Sequence, residues 1–359
     1  MIDVMELNNY RTMTEAHQLL EYWNNLLERS RLTTETMALA IPAKKRRRIK
    51  SSSLNFINLF DISESRYQSR RFMVHLLAMK LLLQTYLQNR VSSMRELFYR
   101  DVAAFGYDQN VLNEALLNMS FVTNGGVPED FRVFPSSKGL IYGGPLIQCS
   151  EGSCQKFELK YESDAILVPN FHNHLKIDTK IESIILFEKD SIFKTYCAHV
   201  KNNHLMLRGR HVFLTAKGFP DRLSMKLLKA FVTEQTEVPI YAFVDSDVYG
   251  VNIFRSYERG LGEASINLKY TGIFLLDYKE GWQTVSSREV ILMISLLRQL
   301  TLPNPPDSRI AYESHLLMKQ ELSRGLLLFK KAEMNAKENF SKCERTLLTY
   351  LDERVLRVK

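Results

Sequence analysis

The sequence predicts two domains of different class, an α+β domain followed by an α/β domain. Three helical segments and a hairpin are expected between residues 70 and 147. From about residue 163 strands alternate with helices, and helices at about 326–333 and 347–356 close the second domain. At 359 residues, 45% of them hydrophobic, the chain is long enough to bury two cores.

Residues 1–69 are predicted to be an N-terminal extension made of one helix and a basic linker. Apolar residues recur at helical spacing between about residues 12 and 30, which indicates an amphipathic helix. The run from Lys44 to Lys50 holds six basic residues of a chain whose formal net charge is +8. This run is typical of a solvated linker, and also of a nuclear localisation signal or an arm that touches DNA. Any DNA-binding surface on the folded domains must therefore be a local patch.

Neither export nor a membrane partner is expected for this chain. No run approaches the roughly 18 consecutive apolar residues that a membrane span needs. The amino terminus lacks the basic-then-apolar pattern of a secretory signal. The four cysteines include no CxxC pair, which gives a disulfide framework little support.

Three helices are predicted at the start of the first domain. The first, at about residues 70–88, is apolar on much of its surface and so is typical of a core helix. The second begins near Ser92 or Ser93, either of which can cap it, and the third covers about residues 110–118.

A hairpin is predicted after the third helix. Apolar strands at about 131–134 and 140–142 flank a polar turn. Three helices followed by a hairpin describe a winged-helix (CAP-like) module over residues 70–147, a common shape for holding duplex DNA. Lys138, in the predicted wing turn, is expected to contact phosphate, unless it is simply a solvated turn lysine.

Tyr99 does not fit the apolar face of the second helix. At about 100° per residue, Tyr99 lies about 120° from the mean direction of its apolar neighbours. Arg95, four residues earlier, lies on the same flank. Tyrosine is a poor nucleophile at neutral pH, and a neighbouring guanidinium stabilises negative charge on the phenol oxygen and on an attacked phosphate. The geometry alone favours an ordinary surface pair, so a catalytic role depends on the rest of the chain.

The second domain, residues 163–359, is predicted to follow a polar linker at 148–162. Its strands are continuous apolar runs, each followed by a helix, which predicts a parallel sheet with helices on its faces. Glu188 ends one predicted strand, and Asp245 and Asp247 follow another. Because ligands gather beyond the carboxyl ends of parallel strands, the three acids are expected to lie together.

Three carboxylates at one sheet edge repel each other unless a cation lies between them. Mg²⁺ takes oxygen ligands, keeps several waters and bridges to phosphate oxygens. The alternative for each acid by itself is a helix cap, since aspartate at a strand end often caps the next helix. Taken together, Glu188, Asp245 and Asp247 favour a magnesium site.

Lys217 and Phe219 lie in a Lys-Gly-Phe-Pro turn after a predicted strand. Both are expected to contact DNA. An exposed Phe219 ring would press into the minor groove, and the alternative is that it packs under its own loop.

Several segments, in this order along the chain, resemble the topoisomerase VI A-subunit family, and most of all its eukaryotic meiotic double-strand-break transesterases. They are Arg-Glu-Leu-Phe-Tyr ending at Tyr99, Ser-Lys-Gly-Leu from Ser137, Leu-Phe-Glu-Lys around Glu188, Lys-Gly-Phe-Pro-Asp from Lys217, Val-Asp-Ser-Asp-Val-Tyr-Gly around Asp245 and Lys-Lys-Ala-Glu ending at Glu333. The resemblance runs from about residue 70 to the carboxyl terminus. It departs from the family at Phe98, where relatives often have a second tyrosine.

The resemblance implies a winged-helix domain followed by a Toprim domain with a Rossmann-like parallel sheet. It implies that Tyr99 forms a 5′-phosphotyrosyl link to each cut strand, with Arg95 as its partner. It also implies that Glu188, Asp245 and Asp247 are the Toprim acids that bind Mg²⁺.

The resemblance further implies partners and a compartment. A homodimer would cut double-stranded DNA in the nucleus, with the tyrosine of one protomer meeting the metal pocket of the other. Meiotic accessory proteins and a topoisomerase VI B-like subunit would assist it in starting homologous recombination. Two rival functions remain, a noncatalytic DNA-binding scaffold and a Toprim-type hydrolytic nuclease. A scaffold needs none of the site residues, and hydrolysis needs no Tyr99.

Overall fold

A computed structural model of the protein describes residues 15–32, 38–42, 54–58, 66–122, 126–143, 146–149, 157–159, 163–169, 171, 175–177, 180–202, 211–277, 279, 282–301, 308–334 and 347–356. The chain folds into two compact units, Met1–Ser136 and Ser137–Lys359. Among the described residues, the first unit has one hydrophobic core and the second has two.

The first unit is mainly helical. Its helices are α1 (Glu15–Leu32), α2 (Arg66–Leu87), α3 (Met94–Arg100) and α4 (Gln109–Phe121), and its strands are β1 (Ala38–Pro42), β2 (Leu54–Asn58), β3 (Ser92–Ser93) and β4 (Val133–Phe134). β1 and β2 form an antiparallel pair, and β3 and β4 form a short parallel pair. The three helices predicted for the first domain are confirmed, with ends that differ by a few residues.

Helix α1 contributes to the core of the first unit. Ala16, Leu19 and Leu26, which share one helical face, are buried in the same cluster as residues of α2 and α4. The predicted amphipathic helix is confirmed, and it packs on the body of its unit. The basic run from Lys44 to Lys50 lies outside the described residues.

The second unit is built on a six-stranded mixed sheet. In spatial order its strands are β13 (Leu268–Tyr270), β12 (Ile240–Phe243), β10 (Ser183–Phe187), β11 (His211–Thr215), β5 (Leu140–Gly143) and β8 (Ile166–Leu167). The strands β10 to β13 are parallel, and they are connected by α5 (Asp190–Asn202), α6 (Arg222–Glu234) and α7 (Val248–Leu261). The predicted alternation of parallel strands and helices is confirmed.

Both faces of this sheet are covered. Along β10, Ile184 and Leu186 lie in one core, whereas Ile185 and Phe187 lie in the other. Successive side chains of a strand point to opposite faces, so a strand buried on both sides has an unbroken apolar run. This is the physical reason that the run in the sequence predicted a central strand.

The hairpin predicted at residues 131–142 does not form. Strand β4 pairs with β3, whereas β5 pairs antiparallel with β11 and β8 in the sheet of the second unit. All four residues of β5 are buried, and such a strand is stable inside a covered sheet rather than at the edge of a wing. The predicted wing was therefore wrong, Lys138 is not a wing residue, and residues 137–147 belong with the second unit.

The remaining elements surround the sheet of the second unit. They are β6 (Leu146–Cys149), β7 (Phe157–Glu158), β9 (Leu175–Ile177), β14 (Trp282–Thr284), β15 (Lys330–Ala332), α8 (Ser287–Leu300), α9 (Arg309–Leu328) and α10 (Leu347–Leu356). The linker predicted at 148–162 is wrong in its described part, because β6 pairs with β7 and β9. The helix predicted at 326–333 is also wrong beyond Leu328, because β15 pairs with β14. Helix α10 is confirmed.

Among the described residues, no helix combines the length and the apolar character that crossing a bilayer requires.

Candidate active site

Tyr99 lies on the exposed side of α3. Its neighbours Leu97 and Phe98 are buried in the first core, whereas 61% of the Tyr99 surface is exposed. The start of the helix is fixed because Ser93 Oγ accepts a hydrogen bond from the backbone N–H of Glu96 at 3.0 Å. The short helix therefore presents the phenol to solvent, as its spacing in the sequence predicted.

Phe98, at the position where relatives often have a second tyrosine, is a core residue. Its ring centroid lies 6.2 Å from that of Phe105 and 5.6 Å from that of Tyr99. Packing against Phe105 anchors α3 to its unit. Phe98 therefore supports the position of Tyr99 from the buried side.

Arg95 contacts the phenol oxygen of Tyr99. Its Nε and Nη2 atoms donate to Tyr99 Oη over 3.4 and 3.3 Å. The guanidinium carbon lies 5.7 Å from the centroid of the tyrosine ring. Two donors directed at one oxygen can stabilise negative charge that forms there during nucleophilic attack.

Glu188 and Asp245 follow two neighbouring parallel strands. The last residue of β10, Phe187, is opposite Phe243 at the end of β12, so the residues that follow reach the same edge of the sheet. Glu188 Oε2 accepts a hydrogen bond from the backbone N–H of Asp245 at 2.9 Å. The structure thus brings these two predicted acids together.

Asp245 and Asp247 are each held by the backbone. Asp247 Oδ1 accepts from the N–H of Gly250 at 2.7 Å and so caps α7. Asp245 Oδ1 accepts from the N–H of Met334 at 2.8 Å, and its Oδ2 lies 2.7 Å from Lys189 Nζ. The alternative considered for each acid was a helix cap. Asp247 does cap a helix.

Burial makes ionisation of the three acids costly. Burial, followed by repulsion from Asp245, raises the pKa of Glu188 to about 8. Burial raises the pKa of Asp247 to about 6 and also raises the pKa of Asp245. A cation bound at this edge of the sheet would offset the cost of ionising the three carboxyl groups.

The donor set fits magnesium in its chemistry, because buried carboxylate oxygens are the ligands that this ion takes from proteins. In the part of the chain that the structure describes, no three acidic, histidine or cysteine side chains are already arranged around one metal position. The acids are instead held by backbone N–H groups and by Lys189. Binding an ion would therefore require these side chains to adjust.

The raised pKa of Glu188 predicts how metal-free stability depends on pH. The pKa of Glu188 is about 8 in the folded protein, whereas its ordinary value, expected in the unfolded chain, is 4.5. Since the folded state binds the proton more tightly, stability should fall as the pH rises between these values. We expect the unfolding temperature in EDTA to drop across this range and Mg²⁺ to oppose the drop. A profile in EDTA that is flat or rises would contradict the prediction.

Gly250 allows α7 to approach the loop that carries Asp245. A Cβ atom at this position would lie 2.2 Å from the carbonyl oxygen of Asp245, which is a backbone atom that cannot move aside. We expect Gly250→Ala to destabilise the protein by about 1–3 kcal/mol in urea unfolding, the usual cost of overpacking.

Gly260→Ala in the same helix is the matched control. Its Cβ would lie 2.4 Å from the terminal methyl group of Met225, which is the flexible end of a side chain. Gly260→Ala should cost much less than Gly250→Ala. Equal costs at the two positions would show that the contact with Asp245 is not special.

Lys138 lies beside the carboxyl end of β11, although not in a wing. Leu140 pairs with Thr215, the last residue of β11, and β5 runs antiparallel to it. Lys138 precedes this pair, so it extends past the end of β11, and it is exposed.

Lys217 and Phe219 follow β11 at the same end of the sheet. The N–H of Gly218, between them, donates to the carbonyl oxygen of Glu188 at 2.8 Å. The Phe219 side chain is exposed, so the alternative that it packs under its loop is not observed. The structure thus brings the three predicted DNA-contact residues to the edge that carries Glu188.

The sequence reasoning missed the cations of this site. Lys189 lies 2.7 Å from Asp245 and 3.4 Å from Glu333, and Lys331 lies 3.1 Å from Glu333 and 2.9 Å from Glu289. A lysine directly after Glu188 and the Lys-Lys-Ala-Glu segment were visible in the sequence. The contact between these two segments could not be predicted from the sequence, because it depends on the β-bridge between Ser246 and Ala332.

Two family comparisons match the two units separately. Residues 70–133 match the family described as Type IIB DNA topoisomerase, and residues 183–280 match the family described as the Toprim domain of Spo11 and the topoisomerase 6 A subunit. The first segment contains Arg95 and Tyr99, and the second contains Glu188, Asp245 and Asp247.

Individual relatives agree with these matches. The meiotic recombination protein SPO11-1 of Oryza sativa subsp. indica is 27% identical over 56% of this chain and 49% of its own length. The type 2 DNA topoisomerase 6 A subunit of Aeropyrum pernix is 25% identical over 56% of this chain and 53% of its own length. The meiotic recombination protein rec12 of Schizosaccharomyces pombe is 24% identical over 70% of this chain and 69% of its own length.

The matched region spans about half the length of the rice and Aeropyrum proteins. The resemblance inferred from the motifs is confirmed, and residues 183–280, which match the Toprim family, carry the parallel strands of a mixed sheet.

Proposed function

We propose, from the relationship of this chain to Spo11 proteins and topoisomerase 6 A subunits, that it breaks both strands of duplex DNA by transesterification. Tyr99 is the nucleophile, Arg95 its partner, and Glu188, Asp245 and Asp247 are the ligands of Mg²⁺. The observation that carries the proposal is the exposed Tyr99 with two Arg95 donors on its oxygen, within the segment that matches type IIB topoisomerases.

The reaction exchanges one ester for another. Tyr99 Oη attacks the phosphorus of a phosphodiester, and the bond from phosphorus to the 3′ oxygen breaks. The phenol proton is lost, the 3′ oxygen leaves with a proton as a hydroxyl group, and the 5′ phosphate remains on the tyrosine. The energy of the phosphodiester is kept in the phosphotyrosyl bond, so the cut consumes neither water nor a nucleotide.

Arg95 and the acids have separate tasks in this reaction. The Arg95 guanidinium stabilises charge on the phenol oxygen as it attacks. A magnesium ion, when bound, would neutralise charge on the phosphate oxygens. Glu188, Asp245 and Asp247 would hold that ion at the end of the sheet, where Glu188 is fixed by its hydrogen bond from the backbone of Asp245.

A double-strand break requires two copies of the chain, because one tyrosine forms one phosphotyrosyl bond. The active form is therefore a homodimer, in which the tyrosine of one protomer works with the acids of the other. Meiotic accessory proteins and a topoisomerase VI B-like subunit complete the assembly, which acts on chromosomes in the nucleus to start homologous recombination.

Each unit contributes to DNA binding. The helices of the first unit hold the duplex around α3. In the second unit Lys138 and Lys217 contact phosphates, and the exposed ring of Phe219 presses into the minor groove. These residues position the duplex without reading its sequence.

A hydrolytic nuclease of the Toprim type is the second candidate, supported by the acids at the end of the sheet. It would use water activated by a metal ion in place of Tyr99. A noncatalytic scaffold would need neither set of residues.

The three functions predict different products. The full chain, together with its cellular partners, is denatured after it has acted on DNA, and the protein is tested for attached DNA. Transesterification leaves DNA on the protein through a 5′ phosphotyrosyl link that a tyrosyl-DNA phosphodiesterase removes. Cut DNA with free ends and no adduct would replace this proposal with hydrolysis, and bound but uncut DNA would support a scaffold.

A further inference from the structure

Lys189 covers the side of Asp245 that a metal ion would need. The backbone N–H of Met334 occupies Asp245 Oδ1 at 2.8 Å, and Lys189 Nζ occupies Oδ2 at 2.7 Å. The Asp245 side chain is only 3% exposed, whereas that of Lys189 is 20% exposed. The carboxylate is thus enclosed by the protein, and the lysine is its solvent-accessible contact.

We propose that Lys189 is a resident cation, which neutralises Asp245 without metal and transfers to Glu333 when Mg²⁺ binds. This inference rests on the magnesium site of the proposed function. A buried carboxylate without a cation is costly, so the lysine stabilises the empty site. The same contact would compete with magnesium, because Asp245 Oδ1 already accepts from the N–H of Met334 and Lys189 occupies Oδ2.

Glu333 is placed to receive the lysine. Its Oε2 lies 3.4 Å from Lys189 Nζ, so the transfer needs only a short movement of a side chain. Its other oxygen, Oε1, is held by Lys331 at 3.1 Å. Each oxygen of Glu333 therefore has its own lysine.

The backbone brings Glu333 to this position. Ser246, which lies between the two aspartates of the site, forms a β-bridge with Ala332 through hydrogen bonds of 2.9 and 3.2 Å. Lys331 is tied on its far side to Glu289 at 2.9 Å. The charges thus alternate from Asp245 through Lys189, Glu333 and Lys331 to Glu289.

The test is magnesium binding by the full chain, measured by calorimetry with Mg²⁺ and by electron paramagnetic resonance with Mn²⁺. Lys189→Gln removes the competing cation, so we expect binding to tighten at least about tenfold, because the repulsion between two cations a few ångströms apart is lost. In EDTA this variant should unfold at a lower temperature than wild type, and saturating Mg²⁺ should remove the difference.

The control is Lys194→Gln, which removes the same charge from α5. Lys194 pairs with Asp190 at 2.9 Å on an exposed surface and contacts none of the three acids. Its affinity for magnesium should stay within about twofold of wild type, because charges on exposed surfaces are screened. Equal tightening in both variants would overturn the proposal, since a general charge effect would then explain it.

Glu333→Gln should have the opposite effect. It removes the second position for Lys189, so we expect magnesium to bind about threefold more weakly, and this loss to disappear in the Lys189→Gln background. If the loss persists there, Glu333 acts on the metal directly and the transfer is wrong. If wild type binds magnesium and Lys189→Gln binds it with the same affinity, this inference is wrong, but the magnesium site stands. If neither form binds the ion, the magnesium site fails as well.

Discussion

Tyr99→Phe should remove all DNA that remains attached to the protein after denaturation, a loss of at least about a thousandfold, as expected for a lost nucleophile. Phenylalanine keeps the ring that packs 5.6 Å from Phe98 and lacks only the attacking oxygen. Because the side chain is exposed, the free energy of unfolding should change by less than about 0.5 kcal/mol. The measurement is labelled DNA recovered with the denatured full chain from its active assembly.

Tyr107→Phe is the matched control for this experiment. Tyr107 is also in the first unit, and 80% of its surface is exposed. The hydrogen bonds from Arg95 go to the phenol oxygen of Tyr99 and not to that of Tyr107. The control should form the adduct at the wild-type level. An adduct that survives Tyr99→Phe would show that another residue is the nucleophile.

Glu188→Gln should abolish DNA breakage and yet stabilise the metal-free protein. Glutamine keeps the oxygen that accepts the backbone N–H of Asp245 but removes a buried carboxylate whose pKa is raised to about 8. Breakage should fall at least about a hundredfold, because charge stabilisation by a bound metal is worth several kcal/mol. In EDTA, at pH values above about 8, the variant should unfold at a higher temperature than wild type.

Glu182→Gln is the control for this second prediction. Glu182 precedes β10, whereas Glu188 follows it, and 44% of the Glu182 side chain is exposed. The control should keep breakage activity. A Glu188→Gln variant that still cuts DNA would remove this residue from the metal site.

The order of elements and the positions of the strand ends could be predicted from the sequence. The unbroken apolar run of β10 reflects burial on both faces, and the acids that follow β10 and β12 meet because parallel neighbouring strands end at one edge. The exposure of Tyr99 followed from helical spacing around the buried Leu97. Each of these features depends on residues close together in the chain.

The wing and the linker were mispredicted because strand pairing is not local. Residues 140–143 look like the second half of a hairpin, but they pair with β8 and with β11, which lies about seventy residues later in the chain. Which of two apolar strands a segment joins is decided by burial in the finished sheet, which the local pattern does not record.

The sequence by itself determined which residues could do chemistry, namely Tyr99 with Arg95 four residues away and acids at two strand ends. Only the tertiary structure decided how the acids are occupied. Lys189 reaches Asp245, and Glu333 comes within 3.4 Å of that lysine, because the Ser246 to Ala332 bridge joins segments far apart in sequence. Ion pairs depend on distances of a few ångströms, and folding, rather than sequence order, sets those distances.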